Sequence, residues 1–185
     1  MNLLIIGVLV WIVVHLIPTT AQPLRARMID RLGNNGYRGL FALAVFGSLA
    51  LIVVGWRSTP ETFVYALPDW TSPVGFVMMI VAFALIGAAQ HRSTIKRYIR
   101  HPMLIGVFVW AVSHLLTNGS TRALVLFGGI GLWALLEIWL INKREGAYSK
   151  PPAARFSADL MGLFVSVIFF IVVLFLHPYF AGVSL

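Results

Sequence analysis

The sequence predicts an all-α integral membrane protein: a six-transmembrane-helix bundle with both termini outside. Three observations carry this. Of the 185 residues 59% are hydrophobic and only 11% charged, with a mean hydropathy of +0.90. A soluble domain keeps roughly a quarter of its residues charged, so this chain lacks the polar surface such a domain needs. Six apolar segments approach the roughly 20 residues that cross a bilayer, and the basic residues gather in alternate connections between them.

The segments cover about 2–17, 37–56, 72–90, 102–117, 121–141 and 158–177, within one domain of residues 1–185. The first resembles a signal peptide in length. It lacks a basic leading region and a small-residue cleavage site, so it reads as a retained span. Pro18, Pro23, Pro60, Pro68, Asn118-Gly119 and Pro151-Pro152 punctuate the connections. Residues 23–33 are too polar to span. Leu24, Met28 and Leu32 recur at helical spacing opposite Arg25, Arg27 and Arg31, which predicts a short interfacial helix; a solvated basic linker is the plainer reading.

Charge sets the orientation. Arg25, Arg27, Arg31 and Arg38 follow the first span, Arg92, Lys96, Arg97 and Arg100 the third, and Lys143, Arg144, Lys150 and Arg155 the fifth. Only Arg57 and Arg122, of fourteen basic residues, lie in the other connections. The positive-inside rule then puts those three connections in the cytoplasm and both termini outside, in the periplasm for a bacterial inner membrane. The net charge of +8 is thus a topology signal, and nucleic acid is rejected as a partner. The absence of cysteine excludes disulfides and thiolate-ligated metals. There is no phosphate-binding glycine loop, no HExxH and no Ser-His-Asp set.

Ionisable residues inside a span are functional candidates by default. His15 ends the pattern Gly7-x-x-x-Trp11-x-x-x-His15-Leu16, and His114 ends Gly106-x-x-x-Trp110-x-x-x-His114-Leu115. Steps of four place each Gly, Trp and His on one helix stripe. Glycine there would let a flat ligand approach the backbone, and tryptophan would wall it. Three spans separate the copies, so a duplication would be a 3+3 inverted repeat, with the histidines just past the midplane from opposite sides. Two such imidazoles suit a haem iron; the plainer reading is that each hydrogen-bonds a neighbouring helix. His177, at the outer end of the sixth span, is the third choice of ligand. His101, beside Arg100, is either a helix-start residue or a contact to an anionic cofactor group. His91 reads as an interfacial anchor. Glu137 is the only acid well inside a span, expected to snorkel or to pair with Lys143 or a loop arginine, with a proton relay as the second reading.

Together, His15, Leu24-Arg25, Tyr37-Arg38-Gly39-Leu40-Phe41, Arg100-His101-Pro102-Met103-Leu104-Ile105-Gly106, Trp110, His114-Leu115-Leu116, Asn118-Gly119, Phe127, His177-Pro178 and Gly182-Val183 resemble the NnrU family along the whole chain. The resemblance implies a link to nitrite and nitric oxide reduction in denitrifying bacteria. The family is in turn similar to the plant zeta-carotene isomerase, an integral membrane enzyme that uses haem b. That likeness implies haem b held by His15 and His114, with Trp11, Trp110, Gly7, Gly106, Arg38, Arg100 and His101 around the cofactor. It also implies a haem-dependent isomerase or oxidoreductase, acting on a lipid-soluble substrate or nitric oxide, or serving a partner oxidoreductase. The isomerase has a cysteine three residues before its second histidine; here that residue is Ala111, so a cysteine-for-histidine ligand swap is not available. Arg100-His101-Pro102-x-x-x-Gly106 with Glu137 and Glu145-Gly146-Ala147-Tyr148 also looks like the cofactor segment of membrane methyltransferases and sterol-type reductases. That alternative implies S-adenosylmethionine or NADPH. Leu104 stands where those enzymes carry tyrosine. A non-catalytic membrane subunit is the third expectation.

Overall fold

The computed structural model describes residues 1–182; Val183, at the end of the family-like pattern, lies outside the described residues. Helix α1, Asn2–Thr20, is largely apolar, interrupted late by His15, with Pro18 in its last turn. Helix α2 runs Gln22–Ser58 and starts on Pro23, whose fixed φ suits a first turn. At Gly33 the backbone swings to φ 69°, ψ 170°, a conformation open to glycine. The basic segment expected at 23–33 is therefore helical, and this break divides it from the span behind it.

Helices α3, Thr71–Gln90, α4, Pro102–Leu115, α5, Thr121–Glu145, and α6, Phe156–Ala181, follow. No strand occurs among the described residues. A lone antiparallel bridge, Phe63 with Ser120, ties two connections. By length and composition α1, α2, α3, α5 and α6 can cross a membrane, while α4 has 14 residues, about 21 Å of helix. The fourth segment stops short of Thr117 because the Thr117 N–H turns back to the His114 carbonyl at 3.3 Å.

Contacts between helices give their directions. Val8 meets Gly129 and Thr19 meets Glu137, so α1 runs parallel to α5. His101 meets Asn142, Ala111 meets Gly131 and His114 meets Phe127, so α4 runs antiparallel to both. Leu4 lies against Gly55, and the Trp56 indole donates to the Ala181 carbonyl at 2.9 Å. Met1 and Ala181 therefore belong to one end of the bundle. At the other end Arg144 donates to the Pro18 carbonyl at 3.3 Å, and Asp159 accepts from the Thr94 hydroxyl and N–H at 2.5 and 2.9 Å. The basic connections gather there, as their alternation requires.

The glycines of the two histidine stripes pack helices. A Cβ on Gly7 would fall 2.8 Å from the Ile52 nitrogen of α2, and one on Gly106 would fall 2.9 Å from the Ala82 carbonyl of α3. The room foreseen for a ligand at Gly7 and Gly106 is filled by neighbouring backbone. A 3+3 repeat would pair α4 with α5 as α1 pairs with α2. Gly106 instead meets α3, so the glycines of the two stripes do not pack on equivalent helices. Helix α6 buries little beyond Ser166 and Phe170 and turns Phe164, Ile168 and Phe169 outward, an apolar surface suited to lipid.

Candidate functional site

Both intramembrane histidines are held in the same way. The His15 Nδ1–H donates to the Trp11 carbonyl at 2.8 Å, and the His114 Nδ1–H to the Trp110 carbonyl at 2.9 Å. A carbonyl only accepts, so Nδ1 carries a proton, and in the neutral ring Nε2 keeps its lone pair. This bond alone does not mark a ligand: His91 makes it to Gly87 at 3.0 Å while packing on Gly162. The surroundings distinguish the other two.

His15 stacks on Trp11, with ring centroids 4.1 Å apart, and meets the edges of Trp133 at 5.1 Å and Phe41 at 5.5 Å. His114 stacks nearly parallel on Phe127 at 4.2 Å and tilts against Trp110 at 4.9 Å. Phe127 sits in a π-helical turn, Leu124–Gly128, within α5. Such turns are rare and recur at functional sites. Here the wider turn accompanies a buried phenyl packed against the imidazole. Trp11 and Trp110 both pack on Ile130, Trp133 and Ala134, so the two histidines flank one aromatic core.

Their levels follow from α5. His15 lies beside Trp133 and His114 beside Phe127, six residues apart, or about 9 Å along the axis. Tethered to the carbonyls one turn back on antiparallel helices, the rings lean toward each other. No ring contact joins them among the described residues. His177 is nearer to His114, at 6.5 Å between centroids and 25° between planes.

Several buried polar atoms around His15 have no hydrogen-bond partner: the indole nitrogens of Trp11 and Trp133, the Tyr37 hydroxyl and Oε2 of Glu137. Native interiors pair nearly all such groups. Glu137 is buried, and its Oε1 accepts from the Thr19 hydroxyl at 2.6 Å. The expected pairing with Lys143 is not made; that ammonium lies 5.2 Å over the Trp139 ring. Proximity of Thr19 on α1 was not readable from the sequence, nor was the approach of Phe41 and Trp133.

The Arg100-His101 segment is engaged elsewhere. Arg100 donates to the Gly146 carbonyl at 2.6 Å and to Glu145 at 3.1 Å, while the His101 Nε2–H donates to Asn142 Oδ1 at 2.9 Å. Tyr148 donates to the Lys96 carbonyl, and Arg100 lies 5.4 Å over its ring. These bonds tie the start of α4 to the end of α5. Arg38 is exposed and lines a cleft near Tyr37.

A family model described as NnrU protein matches residues 3–185. The chain belongs to the NnrU family. No curated protein and no solved structure gives a significant match. The matched residues include the two histidine stripes, the Arg-His-Pro start of α4 and the His177-Pro178 end of α6, and the apolar helices make this a multi-pass membrane protein.

Proposed function

We propose that this NnrU-family protein binds haem b within the bilayer, held by His15 and His114, and serves redox chemistry linked to nitrite or nitric oxide metabolism. In this reading α4 is the sixth crossing, the membrane is the bacterial inner membrane, and both termini are periplasmic. One observation carries it: two imidazoles with fixed tautomers and available Nε2 atoms lean toward a shared aromatic core from opposite sides. The unpartnered Trp11 and Trp133 nitrogens beside His15 support an occupant with acceptor atoms. The donor set fits: neutral imidazole is a good iron ligand, and indole and phenyl walls suit an apolar macrocycle.

Bound haem would supply one-electron redox chemistry and an affinity for nitric oxide. The residues of this chain do the rest. The carbonyls of Trp11 and Trp110 hold the rings in one tautomer, as outer partners of metal-bound histidines do. Phe127 and Trp110 keep water from His114. Glu137 and Thr19 give the His15 side a buried hydrogen-bonding pair.

A specific distance favours a second reading, in which His177 replaces His15. A single metal ion would need both imidazole nitrogens within its reach at once. His114 and His177 lie 6.5 Å apart between ring centroids, whereas His15 and His114 are offset by about 9 Å along α5. The S-adenosylmethionine or NADPH alternative draws less support, because Arg100 and His101 already bond Gly146, Glu145 and Asn142. Reduced-minus-oxidised spectra of His15→Ala, His114→Ala and His177→Ala decide among these. The proposal expects His114→Ala and His15→Ala to lose or shift the bands and His177→Ala to keep them. Loss in His114→Ala and His177→Ala alone would establish the second reading, and unchanged bands in all three would discard both.

A further inference from the structure

At the basic end of the bundle a cleft of about 260 Å³ opens between the last turn of α1 and the start of α2, lined by Pro18, Arg25, Tyr37, Arg38 and Phe41. Its chemistry is one-sided. The Arg25 guanidinium lies 5.8 Å over the Tyr37 ring, and Arg38 shares the lining. The ion pairs found among the described residues are made by Arg100, Arg122 and Arg144, not by Arg25 or Arg38. Tyr37 is about nine-tenths buried, yet its hydroxyl has no partner. Phe41 adds an apolar surface to the lining and lies 5.5 Å from the His15 ring. Two guanidiniums and a phenol supply donors matched to anionic oxygen.

We infer that this cleft binds the anionic group of a membrane-soluble ligand, a carboxylate or phosphate held by Arg25, Arg38 and Tyr37 with its apolar body toward Phe41. Two sources present that chemistry: a phospholipid headgroup at the cytoplasmic surface, and a haem propionate if the proposed haem sits beside His15. The anion site does not require the haem, so the two ideas fail separately.

The test uses the full chain in neutral detergent and two matched pairs of probes. Phosphatidylglycerol is compared with phosphatidylcholine by native mass spectrometry. Haemin is compared with its dimethyl ester, which lacks free propionates, by absorbance titration. The wild type should prefer the anionic member of at least one pair by about tenfold or more, the scale of one charge-assisted hydrogen bond. Arg25→Ala with Arg38→Ala should abolish that preference, and Tyr37→Phe should reduce it several-fold. Arg27→Ala with Arg31→Ala removes equal charge from exposed positions outside the cleft and should leave the preference intact; it also controls for folding. A preference confined to the lipid pair assigns the phospholipid, and one confined to the haemin pair assigns the propionate. No preference in the wild type, one that survives the Arg25/Arg38 variant, or one equally lost with Arg27 and Arg31 overturns the inference.

Discussion

Replacing Thr19 by Val probes the most exposed weakness of the core. The side chains have nearly the same shape, so the change removes one hydroxyl and little else. That hydroxyl donates to Glu137 Oε1 at 2.6 Å, and Oε2 of the same carboxyl is already buried without a partner. Thr19→Val therefore leaves both oxygens of a buried acid unpaired. A hydrogen bond to a charged group contributes about 1.5–3 kcal/mol, and one between neutral groups about 0.5–1.5 kcal/mol. The expected loss is about 1–3 kcal/mol. Removing both partners should be gentler than removing one, because the cost lies in stranding the acid. Glu137→Leu in the Thr19→Val background should recover part of the loss, giving a coupling of about 1 kcal/mol or more between the sites. Reversible unfolding in mixed micelles, followed by tryptophan fluorescence, measures the four corners of this cycle. Thr19→Val within 0.5 kcal/mol of wild type, with no coupling to Glu137, would refute the reasoning and mean that the 2.6 Å contact has no energetic weight.

Two further outcomes follow from the site and its surroundings. Phe127→Ala removes a buried phenyl that contacts His114 at 4.2 Å, Trp110 at 5.0 Å and Trp56 at 5.8 Å. Large-to-small changes of this kind cost about 3–5 kcal/mol, so the unfolding midpoint in micelles should drop well below that of an exposed control such as Phe164→Ala. In the connection between α2 and α3, desolvation pushes the Tyr65 phenol above its usual range, and its hydroxyl donates to the Leu115 carbonyl at 2.7 Å. A phenol whose folded pKa is raised gives full stability below the unfolded value near 10 and loses it as the pH climbs through the folded value. Stability should thus fall above about pH 10, and Tyr65→Phe should flatten that alkaline limb.

Much of this architecture was legible because membranes impose a coarse code. Apolar runs and alternating arginines revealed the helices and the basic end, since neither depends on which helices become neighbours. The histidine stripes were legible because His15 and His114 repeat a spacing of four behind Trp11 and Trp110. What stayed hidden was lateral. Nothing in Gly7 or Gly106 says that one meets Ile52 and the other Ala82, because glycine serves helix contact and ligand approach with the same missing Cβ. The sequence around Glu137 offers Lys143 on its own helix or a loop arginine, whereas its partner Thr19 comes from α1, more than a hundred residues earlier. The π-helical turn at Phe127 involves residues of ordinary helical character. Its signal was the phenylalanine carried by the family pattern, without any hint of the conformation. Helix α4 was expected to be longer because Leu116 and Thr117 are compatible with a helix. Hydrogen bonding at the turn before Asn118-Gly119 ends it sooner.

The central claim is that paired imidazoles in this NnrU domain hold haem b. The visible absorption spectrum of the full-length protein, purified from membranes and reduced with dithionite, tests it most directly. Haem held by two imidazoles would give a Soret band with sharp, split bands at longer wavelength, at about one haem per chain. A folded protein that remains colourless after expression with ample haem, and that does not take up added haemin, would contradict it.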